Sequence, residues 1–188
     1  MPTATRKPPH SPPTTRAASD TRYDSRRLYG TKNDLPEVTR IEVTGLLNQR
    51  LAEAIDLATQ CKQAHWNVKG PSFIALHKLF DEVHESAQEY ADLIAERIVQ
   101  LGGTAEGTIN IVGERSTLLD YPLALSNGLE HVAALSDALA GFGRTVRVGI
   151  DEMNDLKDAG SADILTEISR GVDKWLWFVE AHLEEGRR

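Results

Sequence analysis

The sequence predicts an all-α protein, a four-helix bundle with one crossover connection, preceded by a disordered N-terminal tail. Three observations lead there. From Glu37 onward, apolar residues recur at three- and four-residue spacing through most of the chain. Strand-like alternation is absent. The longest link between helical segments falls between the second and the third, the place of a crossover. At 188 residues, the chain is one ordinary domain with room for a tail.

Residues 1–35 are rich in Pro, Thr, Ser and Arg and have almost nothing to bury, so nothing offsets the entropy of ordering them. Residues 36–188 are expected to form the bundle. Charge divides the chain in the same way. Arg6, Lys7, Arg16, Arg22, Arg26 and Arg27 face only Asp20 and Asp24, so the segment through Arg27 carries +4. The whole chain carries −7, which leaves −11 on the remainder. A basic tail on an acidic body suggests two electrostatic roles. The single cysteine, Cys61, excludes an intrachain disulfide and fits a reducing cytoplasm. No apolar run approaches the ~18 residues of a membrane span, and "MPTATRKPPHSPPTT" lacks the apolar stretch of a secretory signal. The expected location is cytoplasmic, without membrane contact.

The first helix is expected over "EVTRIEVTGLLNQRLAEAIDLATQCKQAHWNV", where Val38, Ile41, Leu47, Leu51, Ile55 and Ala58 form an apolar stripe. Gly70 and Pro71 end it, and Ser72 is the expected N-cap of the second helix, which runs to Leu101 before Gly102-Gly103. The following loop is expected to hold a short helix near Tyr121. A long helix over "LSNGLEHVAALSDALAGFGRTVRVGIDEMNDLKD" tolerates Gly141, Gly143 and Gly149, each unfavourable by roughly 1 kcal/mol against Ala. "AGS" separates it from the last helix, with Ser161 as the expected N-cap.

The second helix carries the chemistry. His77 and Asp81 are one turn apart, as are Asp92 and Glu96. Eleven residues from Asp81 to Asp92 come within about 20° of three whole turns, so all four side chains share one stripe. Its ends lie ~28 Å apart, far too distant to share an ion whose ligands sit at about 2 Å. Symmetry resolves this. The midpoint of 77 and 96 and that of 81 and 92 coincide, between Ser86 and Ala87. A two-fold axis there sets His77 and Asp81 of one chain against Asp92 and Glu96 of another, twice over. His65, just before the turn, could add a fifth ligand. Imidazoles with carboxylates suit iron or zinc better than calcium. The paired Glu-x-x-His pattern of bundle-core di-iron proteins is missing, and spacing does not exclude His84 from the stripe. Charged pairs at this spacing are most often solvated surface; two pairs in register with two histidines are not the usual case. Cys61 reads as a small packed residue and Trp175 and Trp177 as packing or interface aromatics. Trp66 is either core or a quencher of reactive species.

Three stretches, "HWNVKGPSFIALHKLFDE", "DLIAERIVQLGG" and "ADILTEISRGVDKWLWFVEAHLEE", resemble the DNA-binding proteins from starved cells, the Dps family of the ferritin-like superfamily. The likeness covers roughly residues 38–184. It implies a ferritin-like bundle that assembles into a hollow homo-dodecamer, with a ferroxidase site between two-fold-related subunits. Carried over by motif, His65, His77 and Asp81 come from one chain and Asp92 and Glu96 from its partner, holding two irons, with Trp66 beside them. The resemblance further implies oxidation of Fe(II) with hydrogen peroxide and storage of the ferric product. It implies carboxylate-lined pores, matched by Asp155, Asp158 and Asp163. Non-specific binding of double-stranded DNA falls to the tail cations, Arg6, Lys7, Arg16, Arg22, Arg26 and Arg27, with association with the nucleoid as its consequence. The rival expectation is a DNA-compacting structural protein whose metal site is vestigial or occupied by zinc.

Overall fold

The computed structural model describes residues 26–183. Five helices are present: α1 (Glu37–Asn67), α2 (Phe73–Gln100), α3 (Ile109–Arg115), α4 (Gly128–Asp155) and α5 (Ala159–Glu180), with no strand among the described residues. The four long helices form the expected bundle. α1 packs chiefly on α2 and α4 on α5; α1–α4 and α2–α5 contacts join the two hairpins. Leu47, Leu57, Phe80, Ile94, Leu139, Phe142 and Leu165 are fully buried along the shared axis. Burying each such side chain contributes about 1.5–3 kcal/mol.

Amide side chains of α1 lay down the crossover. Asn48 donates to the Thr104 carbonyl and accepts from the Glu106 backbone N–H (3.1 and 2.9 Å). Gln49 donates to the Arg115 carbonyl at 2.6 Å, and Gln60 to that of Leu119 at 3.0 Å. The connection therefore climbs alongside α1 from Asn48 to Gln60, roughly 18 Å of helix. The short helix within it sits earlier than expected, at Ile109–Arg115; Tyr121 lies in an irregular segment beyond it. No helical turn can continue there, because Pro122 lacks the N–H and disfavours helical backbone at the residue before it.

Ser72 is the N-cap residue of α2 as expected, though its side chain makes no capping hydrogen bond. The cap of α5 differs from expectation. α5 starts at Ala159, and its cap is Asp158, whose carboxylate accepts from the backbone N–H and hydroxyl of Ser161 (3.1 and 2.5 Å). Ser161 is thus the third residue of the helix, satisfied by the cap. Asn127 and Glu130 close a reciprocal capping box on α4.

The expected tail falls mostly on residues 1–25, outside the described part. Residues 28–35, also assigned to it, follow a defined course. Tyr29 donates its N–H to the Gly102 carbonyl at 2.7 Å, and Leu35 packs against the core. Gly102 has φ +86°, and a Cβ there would stand 2.5 Å from the Tyr29 carbonyl oxygen. Both facts require glycine.

Candidate metal centre

The site begins at the α1–α2 turn. Val68–Ser72 reverses the chain so tightly that His65, near the end of α1, lies against His77, in the second turn of α2. Their rings stack at 3.7 Å between centroids, with planes 22° apart. Each ring is also anchored to the other residue's backbone. His65 Nδ1–H donates to the His77 carbonyl at 2.7 Å, and His77 Nδ1–H to the His65 carbonyl at 2.9 Å. A carbonyl can only accept, so the ring proton of each neutral imidazole is held at Nδ1. Nε2 is left with its lone pair, the form in which histidine binds metal.

Asp81, one turn along α2, sits beside this pair. Its carboxylate oxygen is 3.9 Å from His65 Nδ1 and is ion-paired to Lys62 of α1. The Lys62 hydrogen bond is the main reason its pKa lies below the usual carboxylate value. The Lys62 charge reinforces it, as do His65 and His84 whenever their rings are protonated, and desolvation opposes it. His84 is tied in the same manner as the other two imidazoles, with Nδ1–H donating to the Ala58 carbonyl at 2.8 Å. Its Nε2 is therefore also a free acceptor. His84 lines a cleft together with Asp92 and a second cleft with Lys62 and Trp66. Trp66 itself is 67% exposed.

Asp92 and Glu96 are exposed further along α2, which runs unbroken from Phe73 to Gln100. The helical period puts them on the stripe of His77 and Asp81, with ~28 Å between its ends. Among the described residues, one chain brings together no three His, Cys, Asp or Glu able to hold an ion. What a chain presents is two half-sites on one exposed face: imidazoles and a carboxylate at one end, two carboxylates at the other.

The remaining expected residues divide. Asp155 and Asp163 are exposed, as a pore lining requires. Asp158 does not fit that role. It is 2% exposed, caps α5 and pairs with Arg97 at 2.8 Å, so its charge is spent inside the subunit. Of the tail cations, Arg6, Lys7, Arg16 and Arg22 lie outside the described residues. Arg27 rests on the Tyr29 ring at 5.4 Å, and Arg26 lines a groove with Glu42 and Asp155. Lys62 was missed by sequence reasoning. It stands one turn before His65, but its pairing with Asp81 depends on how α1 docks on α2. Nothing in either helix alone announces it. No helix among the described residues is long and apolar enough to cross a membrane.

Comparison with known proteins bears on this arrangement. Residues 44–188 match the family model described as a ferritin-like domain. The DNA protection during starvation protein of Agrobacterium fabrum is 44% identical over 159 residues, covering 85% of this chain and 98% of that one. Among solved structures, the tetragonal form of Mycobacterium smegmatis Dps superposes with TM-score 0.79 at 35% identity, over 83% of this chain and 95% of that one. Dps from Microbacterium arborescens in its high iron form gives TM-score 0.74 at 32% identity, over 82% and 98%.

Proposed function

Since this chain belongs to the Dps family of the ferritin-like superfamily, we propose that it is a ferroxidase and iron-storage cage that protects DNA. The observation that carries the reading is the reciprocal anchoring of His65 and His77 through Nδ1. It commits both imidazoles to the metal-binding tautomer and fixes their direction before any ion arrives. With Asp81 they form one half of the site. Asp92 and Glu96 of a two-fold partner form the other, so dimerisation builds two sites at once. Nitrogen donors with carboxylates are a borderline-to-hard set suited to Fe(II), which is the substrate here. A relative solved in a high iron form supports the same choice.

The residues then have distinct tasks. His65 and His77 supply neutral nitrogen donors, while Asp81, Asp92 and Glu96 supply the negative charge that favours the ferric product. Lys62 keeps Asp81 ionised until a cation displaces the ammonium. Two Fe(II) ions side by side give hydrogen peroxide both electrons it needs, so its O–O bond breaks to water with no free radical. The ferric product is stored in the hollow of a homo-dodecamer. Asp155 and Asp163 of neighbouring subunits draw Fe(II) inward, and the N-terminal arginines bind double-stranded DNA without sequence preference.

Stopped-flow oxidation of Fe(II) by peroxide tests the reading, with two Fe(II) expected to be consumed per peroxide. Oligomers mixed from His77→Ala and Asp92→Ala chains test the site's location. Each parent is expected to be inactive and the mixture partly active, because half the sites of a mixed dimer receive intact residues from both chains. A mixture as inert as its parents would count against a shared site.

A further inference from the structure

Tyr121 and His131 take no part in the chemistry proposed above, yet they are built as a pair. The Tyr121 hydroxyl lies 2.6 Å from His131 Nδ1, with the two ring planes 19° apart. His131 is buried; its Nε2 has no well-formed hydrogen bond, the Asn67 backbone being a further polar neighbour, so the phenol is the ring's one short side-chain partner. Burial pushes the Tyr121 pKa up and the His131 pKa down, so both are neutral near neutral pH. With the ring proton of the neutral imidazole at Nε2, the phenol donates to Nδ1 across this contact. The crossover delivers Tyr121 to this place, held two residues earlier by the Gln60–Leu119 hydrogen bond. There it shares a cleft of about 570 Å³ with Lys62, Trp66 and His84. Lys62 is the ion partner of Asp81, and Trp66 follows His65. Tyr121 therefore opens onto the cleft beside the proposed metal ligands, with His131 behind it.

Oxidised tyrosine is a strong acid. Taking an electron from a phenol is hard unless its proton has somewhere to go, and a neutral imidazole at hydrogen-bond distance provides that place. We propose that Tyr121 and His131 are a proton-coupled one-electron donor serving the iron site, an inference that rests on the ferroxidase reading. Its use arises when a site holds a single Fe(II). One electron from that ion splits peroxide into hydroxide and a hydroxyl radical. An electron from Tyr121 converts the radical to hydroxide, the phenolic proton moves to His131 Nδ1, and a neutral phenoxyl radical faces an imidazolium. A later Fe(II) returns the electron, becoming Fe(III), and His131 returns the proton. The oxidant is consumed inside the protein.

The test mixes metal-free protein with less than one Fe(II) per site and excess peroxide, then freezes for electron paramagnetic resonance. A tyrosyl signal is expected in the wild type and in Tyr90→Phe, and its loss in Tyr121→Phe. A spin trap in the same mixture should report several-fold more hydroxyl adduct from Tyr121→Phe, with Fe(II) oxidation by paired ions unchanged. A second arm needs no iron: flash-generated ruthenium(III) tris-bipyridine oxidises the protein in H2O and D2O. Tyr121 oxidation should be slower in D2O, and that isotope effect should vanish in His131→Leu. Circular dichroism and assembly of each variant show that the fold survives. A wild type that oxidises no Fe(II) would overturn the ferroxidase reading, and the pair's service to iron with it. Fe(II) oxidation with no signal, or with one that survives Tyr121→Phe, would overturn the donor alone. So would an isotope effect untouched by His131→Leu.

Discussion

His65 and His77 hold one another across the α1–α2 turn, each ring nitrogen bonded to the other's backbone carbonyl at 2.7 and 2.9 Å. The contact is at once a pair of ligands and a clasp on a helix junction. Removing either ring takes away one anchor of the junction. His77→Ala is expected to abolish Fe(II) oxidation and to lower stability by about 1 kcal/mol, the net worth of one such hydrogen bond. Urea denaturation of the metal-free protein measures the second effect without reference to the first.

Lys62 is expected to act as a cation stand-in on Asp81. Its hydrogen bond is the chief cause of the depressed Asp81 pKa. That depression contributes stability that is present above the ordinary carboxylate pKa and disappears as pH falls through the depressed folded value. Lys62→Gln should let the Asp81 titration move back up, as followed by NMR. The stability difference between wild type and variant should shrink on acidification below the usual carboxylate range. A divalent probe such as Zn(II) should bind the variant more tightly, having no ammonium to displace.

The three aspartates near α5 should separate by experiment. Asp158→Ala strips a cap and leaves Arg97 without its buried partner, a loss of about 3 kcal/mol seen in thermal or urea unfolding. Asp155→Asn with Asp163→Asn should leave stability nearly unchanged but slow Fe(II) uptake at low salt. That slowing should fade as ionic strength rises, because screening removes the steering the wild type enjoyed. Equal uptake rates at low salt would remove these two residues from the iron path.

DNA binding is expected to reside in residues 1–27. In the proposed dodecamer, twelve weakly basic tails would gain avidity that a single tail lacks, while the acidic body repels phosphate. Deleting those residues should abolish gel retardation of duplex DNA and leave Fe(II) oxidation unaffected. Retardation by the intact protein should fall steeply with added salt as counterions are displaced. If the truncated particle retards DNA as well as the full chain, the tail is not the binding element.

Helical periodicity carried most of what could be read in advance. The bundle and its crossover follow from four helical segments and the lengths of their links. The common face of His77, Asp81, Asp92 and Glu96 requires only that α2 run unbroken, as it does from Phe73 to Gln100. Contacts between elements were not legible. The Lys62–Asp81 ion pair, the His65–His77 exchange and the Tyr121–His131 bond all depend on docking angles and on the crossover's path, which no single helix encodes. The α5 cap was misplaced for a different reason. Asp158 precedes Ser161 by three residues, a sound capping signal, but the intervening "AG" reads as a break. Both residues are compatible with a first helical turn, and the earlier cap won.

The Tyr29–Gly102 bond at 2.7 Å works as a mooring. Every residue before it is leashed to the end of α2, whatever course it takes. Covalent geometry then limits how far each cation can stray from the mooring: at most ~25 Å for Arg22 and ~80 Å for Arg6. Of these cations, Arg6 and Lys7 have the longest permitted reach toward a duplex lying clear of the acidic surface. Loosening the mooring, as a side chain at position 102 would do, lengthens every leash by the stretch from Tyr29 toward Leu35.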